Sequence, residues 1–213
     1  THIIRGQEFI SSQPNYLNLY DALKLEYPIF ATMPHILAAT GGKKLGKRDG
    51  AKDVLDYLRD GILPEALMNF IVSLGWNDGT EQEIFSKQEL IDTFSLSRDQ
   101  RSGARFDEQR LLWMNGQWIR KLNLDDLYLR VDQFWPDDAA NSSATRKKEV
   151  LGLVQDRLKT LSDLPLLSSY FFTAPDPQWG MVEDNKQLKK IERSELVSLL
   201  QQTLESMKIT EFD

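Results

Sequence analysis

The chain has 213 residues, 41% of them hydrophobic and 27% charged, the balance of an ordinary globular protein that can bury a sizeable core. Its net charge of −6 argues against nucleic-acid binding by bulk attraction and leaves room only for a local basic patch. No apolar stretch approaches the roughly 20 residues of a membrane-spanning helix, and the lack of cysteine excludes disulfides and thiolate metal sites.

Two histidines, His2 and His35, are too few for an ordinary zinc site, so no metal ligands and no zinc are expected. Neither histidine has a serine, cysteine or metal partner in the sequence that would mark it as catalytic. A cysteine-free composition fits a reducing compartment, and a cytoplasmic location is expected.

In chain order, Thr1-His2-Ile3-Ile4-Arg5 reads as a strand already under way, with neither an initiator methionine nor a leader before it. The start is therefore expected to be internal to a longer protein. Tyr16, Leu19, Tyr20 and Leu23 recur at helical spacing, and Ile29 to Met33 is a second short apolar run, giving strand, helix, strand. Residues Gly41 to Gly50 hold four glycines and four basic residues, which predicts a mobile basic loop that breaks the regular pattern.

Beyond Gly50 helix signals take over. Pro64 suits a first helical turn, Leu67, Phe70, Ile71 and Leu74 make one apolar face, and Gly75 suits a left-handed stop. Ser86 and Glu89 have capping-box spacing with Phe85 and Leu90 as a staple, and Asp107 is placed to cap a helix stapled by Phe106 and Leu111. After a break at Pro136-Asp137-Asp138, Val150, Leu153, Val154, Leu158 and Leu161 predict one helical face, and Val197, Leu200, Leu204 and Met207 another. Asp137 to Ser143 and Thr173 to Gly180 read as connectors, and Thr210 to Asp213 has capping-box spacing with no helix following, as at a cut end.

The basic loop admits three readings. Gly41-x-x-x-x-Gly46-Lys47 matches a phosphate-binding P-loop except at Arg48, where a hydroxyl is needed to ligate Mg²⁺. A solvated basic hairpin is the plainest alternative. The third reading takes Lys44-Leu45-Gly46-Lys47-Arg48 as a pair of mobile ammonium groups able to stabilise charge that builds on phosphates in a transition state.

The surrounding residues favour the third. Lys44-Leu45-Gly46-Lys47-Arg48 resembles the Lys-Leu-Ser-Lys-Arg signature loop of class I glutamyl-tRNA synthetases. The resemblance continues in order through Ile3-Ile4-Arg5-Gly6, Leu19-Tyr20-Asp21-Ala22-Leu23, Phe30 to Leu37, Leu63 to Phe70, Leu74-Gly75-Trp76, Ala104-Arg105-Phe106-Asp107 and Trp113 to Ile119. It thins after about Pro165. The implied fold is mainly α: the C-terminal remnant of a Rossmann-like α/β nucleotide-binding fold over 1–50, a helical stem-contact domain over 51–122, and the first part of a helical anticodon-binding region over 123–213.

That resemblance implies roles residue by residue. Lys44 and Lys47 are the catalytic, phosphate-facing lysines. Arg5 takes the amino-acid substrate through its guanidinium. Glu8 and Phe9 face the ribose and adenine of ATP, backbone near Ile36 and Leu37 borders the adenine, and Arg105, Arg120 and Lys121 contact tRNA. Arg98, Arg101 and Arg110 are further phosphate-contact candidates. ATP with Mg²⁺ on its phosphates is the implied cofactor, and glutamate and tRNA(Glu) are the implied partners, with tRNA(Gln) as a second acceptor, no membrane, and a monomeric state. Gly46 departs from the usual serine and implies a looser loop. The class also carries a His-Ile-Gly-His element that these residues lack, so the stretch by itself is expected to be inactive. The alternatives are a non-catalytic tRNA-binding helical module, a P-loop phosphotransferase, and a shortened paralogue that glutamylates a modified tRNA base, which normally stops soon after the nucleotide fold.

Overall fold

The computed structural model describes residues 1–40, 42–46, 52–100, 102–173, 185 and 188–209, with the side chains of 189, 204 and 206–209 left aside. Lys47, Arg48, Arg101, Gly41, Gly50 and the segments 174–180 and 210–213 lie outside the described residues, as do the expectations that fell on them. The chain divides into two compact units, Thr1–Phe172 and Thr173–Asp213.

The first unit opens with the expected strand, helix, strand. Strand β1 (His2–Gly6) and strand β2 (Ile29–Met33) pair in parallel, with Arg5 in register with Thr32. Parallel neighbours need a crossover connection, which helix α1 (Gln13–Leu23) supplies after a 3₁₀ segment, Gln7–Ser12. Pro14 lies in the first turn of α1, and Lys24 ends it in the left-handed conformation (φ 53°), its N–H donating to the carbonyls of Asp21 and Tyr20.

Of the loop expected to break the pattern, residues 42–46 are described, and they pair back onto the chain that leaves β2. Ala38 donates to the carbonyl of Lys43 and Leu45 to that of Ile36, each at 2.8 Å, and Gly42 makes the turn at φ 63°. On its other side Leu37 donates to Ala104 and accepts from Phe106. Residues 36–38 therefore lie between two partners, Lys44 in antiparallel pairing and Arg105 in parallel.

Among the described residues, seven α-helices follow in this unit: α2 (Val54–Arg59), α3 (Pro64–Ser73), α4 (Lys87–Thr93), α5 (Glu108–Lys121), α6 (Leu124–Arg130), α7 (Ala144–Val154) and α8 (Leu164–Ser168). The expected local signals operate: Ser86 and Glu89 close a reciprocal capping box on α4, and Asp107 accepts from Gln109 and Arg110 at the start of α5. Asp53 caps α2 in the same way with Asp56.

Three hydrophobic clusters share α3. Ala66 joins Ile119, Leu127, Leu151 and Leu164 in the largest, and Phe70 joins Tyr57, Leu111 and Met114 in the second. Met68 and Val72 pack against the third, made of Trp76, Phe85 and Leu90. Each fully buried leucine or phenylalanine contributes about 1.5–3 kcal/mol by leaving water, so α3 is the element whose loss would unfasten all three.

Several expectations are corrected. Gly75 is not left-handed, because α3 stops through Leu74 in right-handed geometry. Ile71 and Leu153 are more than half exposed, so the apolar stripes of α3 and α7 are narrower than their hydrophobic residues suggest. Helix α7 ends at Val154 and passes into a 3₁₀ turn, Gln155–Arg157, with Leu158 and Leu161 reaching the core from beyond it. The connector at Asp137 begins with a 3₁₀ turn that buries Ala139 completely.

In the second unit, helix α9 (Arg193–Ile209) covers the expected face of Val197, Leu200, Leu204 and Met207; the side chains of Leu204 and Met207 lie outside the described ones, and among the rest Leu196 is buried while Leu200 is exposed. Among the described residues no helix is long and apolar enough to cross a membrane.

Candidate active site

Ligands of open α/β sheets gather at the carboxyl ends of parallel strands. At that end the chain places Arg5 near the close of β1, Glu8 and Phe9 just after it, and His35 to Leu37 just after β2. The hairpin then returns Lys44 to the same place: its Nζ lies 3.3 Å from one oxygen of Glu8, and Nδ1 of His35 lies 3.5 Å from the other. Residues 36 positions apart thus form one charged cluster.

Glu8 is held as a carboxylate. Its own backbone N–H lowers its pKa most, and the hydrogen bond and charge of Lys44 and the nearby His35 add to this against a desolvation that opposes them. Gly6 leaves the space it needs, because a side chain there would collide with the Glu8 carboxyl group. Lys44 is 58% and Glu8 45% exposed, so the pair is weak and readily exchanged for another partner.

Arg5 lies with its guanidinium carbon 4.8 Å from the ring centre of Phe9 and 4.8 Å from that of Tyr16. Phe9 remains 43% exposed, so it serves neither as core nor as a fully covered surface. Tyr16 was legible only as part of the apolar spacing of α1; its place beside Arg5 depends on the crossover that lays α1 along β1.

The backbone of Leu37 is spent on Ala104 and Phe106, and the Ile36 carbonyl accepts from Leu45. Arg105 is brought to this hairpin by its pairing with Leu37, and Gly103 permits the approach, since an added Cβ would sit 2.5 Å from the His35 carbonyl oxygen. Arg120 and Lys121 stand at the opposite end of α5, whose 14 residues span about 20 Å. Arg120 donates to the carbonyl of Asp156 at 3.1 Å, and the Lys121 ammonium lies 5.7 Å from the Trp118 ring centre. Arg98 and Arg110 are engaged by the Asp78 carbonyl and the Glu83 carboxylate.

Clefts flank the strand pair among the described residues. One of about 270 Å³ is lined by Ile4, Met33, Ile71, Trp76 and Phe94, and one of about 350 Å³ by Ile3, Arg5, Tyr16, Leu19 and Phe30 among others.

Comparison with known proteins settles the ancestry. Residues 1–113 match the family model described as tRNA synthetases class I (E and Q), catalytic domain, and residues 126–213 match an anticodon binding domain. The chain belongs to the class I tRNA synthetases of the E and Q type.

Its curated relatives in this family include a glutamate–tRNA ligase of Francisella tularensis, 39% identical over 174 residues that make up 81% of this chain and 37% of that protein. A glutamate–tRNA ligase of Moorella thermoacetica is 38% identical over 179 residues, covering 81% of this chain and 36% of its own length. The chain therefore spans little more than a third of the relatives it matches. Among solved structures, a glutamate tRNA ligase of Elizabethkingia meningosepticum in complex with its amino acid superposes on the whole chain, which covers 45% of it, with a TM-score of 0.81 at 28% identity. One from Elizabethkingia anophelis gives 0.80. The mainly helical fold with a small parallel sheet is thus that of a class I synthetase.

Proposed function

We propose that this chain carries half of the active site and part of the tRNA-binding surface of a cytoplasmic glutamate–tRNA ligase. The enzyme activates glutamate with ATP to glutamyl-adenylate and transfers it to the 3′ end of tRNA(Glu). The observation that carries the reading is the convergence of Lys44 and Glu8 at the carboxyl ends of two parallel strands.

The chemistry requires no protein nucleophile. A carboxylate oxygen of glutamate attacks the α-phosphate of ATP, pyrophosphate leaves with its bonding electrons, and a terminal ribose hydroxyl of tRNA then displaces AMP. What the protein must supply is placement and positive charge where charge builds on the phosphates. Arg5 takes the substrate carboxylate, Phe9 offers an exposed ring to adenine, backbone around Ile36 and Leu37 borders the base, and Glu8 accepts from the ribose hydroxyls. Lys44, with Lys47, serves the phosphates, and Mg²⁺ arrives on the ATP.

Each carboxylate oxygen of Glu8 can accept more than one hydrogen bond, so ribose can join or displace Lys44 there. The exposed ion pair favours a simple exchange: ribose replaces Lys44 at Glu8, and the released ammonium turns to the phosphates. Residues 1–50 act as the nucleotide-fold part, 51–122 as the stem-contact part and 123–213 as the start of the anticodon-binding part, with Arg105, Arg120 and Lys121 on the tRNA side.

Charging of purified tRNA(Glu) and tRNA(Gln) with radiolabelled glutamate, using the protein in its full reading frame, tests this. Charging of tRNA(Glu) is expected, and the tRNA(Gln) arm decides whether the second acceptor is used. Retention of tRNA without charging would replace the ligase with a tRNA-binding module.

A further inference from the structure

The arrangement around Arg5 goes beyond a single substrate-binding residue. A guanidinium is planar, with donors on its edges and none on its faces. Phe9 and Tyr16 both lie 4.8 Å from its central carbon, one supplied by the 3₁₀ segment after β1 and the other by the first turn of α1. Contacts of this kind hold the cation over the aromatic rings, and with five N–H donors the guanidinium keeps some for a carboxylate.

Both rings remain partly exposed, 43% for Phe9 and 36% for Tyr16, so the grouping is open to solvent and is not a piece of core.

We propose that Tyr16 is a positioning residue for amino-acid recognition, clamping the Arg5 guanidinium with Phe9 so that its donor edge is presented to the substrate carboxylate. This rests on the ligase reading above. An unclamped arginine samples many rotamers and must lose that freedom when the carboxylate binds, whereas a clamped one has lost it on folding. Glutamate binding should feel the clamp, and ATP binding should not.

The test measures the KM for glutamate, the KM for ATP and kcat in the full-frame enzyme for wild type, Tyr16→Ala and Tyr16→Phe, with thermal unfolding to confirm that each variant is folded. Removing one exposed face-on contact is expected to raise the glutamate KM about fivefold in Tyr16→Ala with the ATP KM unchanged. Tyr16→Phe keeps the ring and is expected to stay within about twofold of wild type. A folded Tyr16→Ala with an unchanged glutamate KM, or with both KM values raised alike, overturns the clamp while wild-type charging leaves the ligase reading intact. A wild-type enzyme that charges no glutamate overturns both.

Discussion

Asn115, in the middle of α5, accepts a hydrogen bond at 2.8 Å from the backbone N–H of Leu63, 52 positions earlier in the chain. Its amide nitrogen donates to the carbonyls of Gly61 (3.2 Å) and Lys159 (2.7 Å), so one fully buried side chain ties the 61–63 backbone to that of Lys159. Removing it leaves the Leu63 N–H and the Lys159 carbonyl without this partner, while the Gly61 carbonyl keeps its bond from the Leu161 N–H. Asn115→Ala is expected to lower stability by about 3 kcal/mol in chemical denaturation.

Gly61, one of those partners, has φ 79°, and an added Cβ would sit 2.6 Å from the backbone nitrogens of both Leu161 and Ser162. Gly61→Ala should therefore cost about 2 kcal/mol or more, through strain and collision together. Gly152 is the contrasting case, exposed within α7 with its nearest neighbour at 3.9 Å. Gly152→Ala is expected to stabilise by up to about 1 kcal/mol in the same measurement.

Glu65 and Arg130 form a two-bond pair at 2.8 and 3.0 Å between α3 and α6. The Arg130 hydrogen bonds hold the Glu65 pKa below its ordinary value of 4.5. A depressed carboxylate favours the folded state fully at pH above the unfolded value, and that contribution is lost as pH falls through the folded one. With both side chains 35% exposed, solvent limits the effect to about 1 kcal/mol. The stability difference between wild type and Glu65→Gln should be constant from neutral pH down to about 5 and shrink below 4.5.

Reversing the charges of Arg120 and Lys121 should weaken tRNA binding and flatten its dependence on salt, each lost phosphate contact reducing the logarithmic slope by roughly 0.7–0.9. Filter binding over a range of salt concentrations reads the slope directly. An unchanged slope would remove the far end of α5 from the tRNA surface.

Signals confined to a few neighbouring residues were readable in advance. The Ser86–Glu89 box, the Asp107 cap and the Pro64 helix start depend on contacts within one turn, and the structure contains all three. What escaped depends on partners remote in the chain. Gly75 had the right residue type for a left-handed stop, but the strained position is Gly61, dictated by the Leu161 backbone pressed against it. The hairpin after β2 looked irregular because its glycines were visible and its pairing of Leu37 with Arg105 was not. The pairing of Glu8 with Lys44 joins residues 36 positions apart, and Tyr16 beside Arg5 was hidden inside an amphipathic spacing.

A phosphate-facing role of the hairpin lysine during glutamate activation is read by Lys44→Ala in the full-frame enzyme. The charging rate is expected to fall about 100-fold or more, with the affinity for tRNA(Glu) unchanged. An unaltered charging rate would contradict it and leave Lys44 as a surface partner of Glu8.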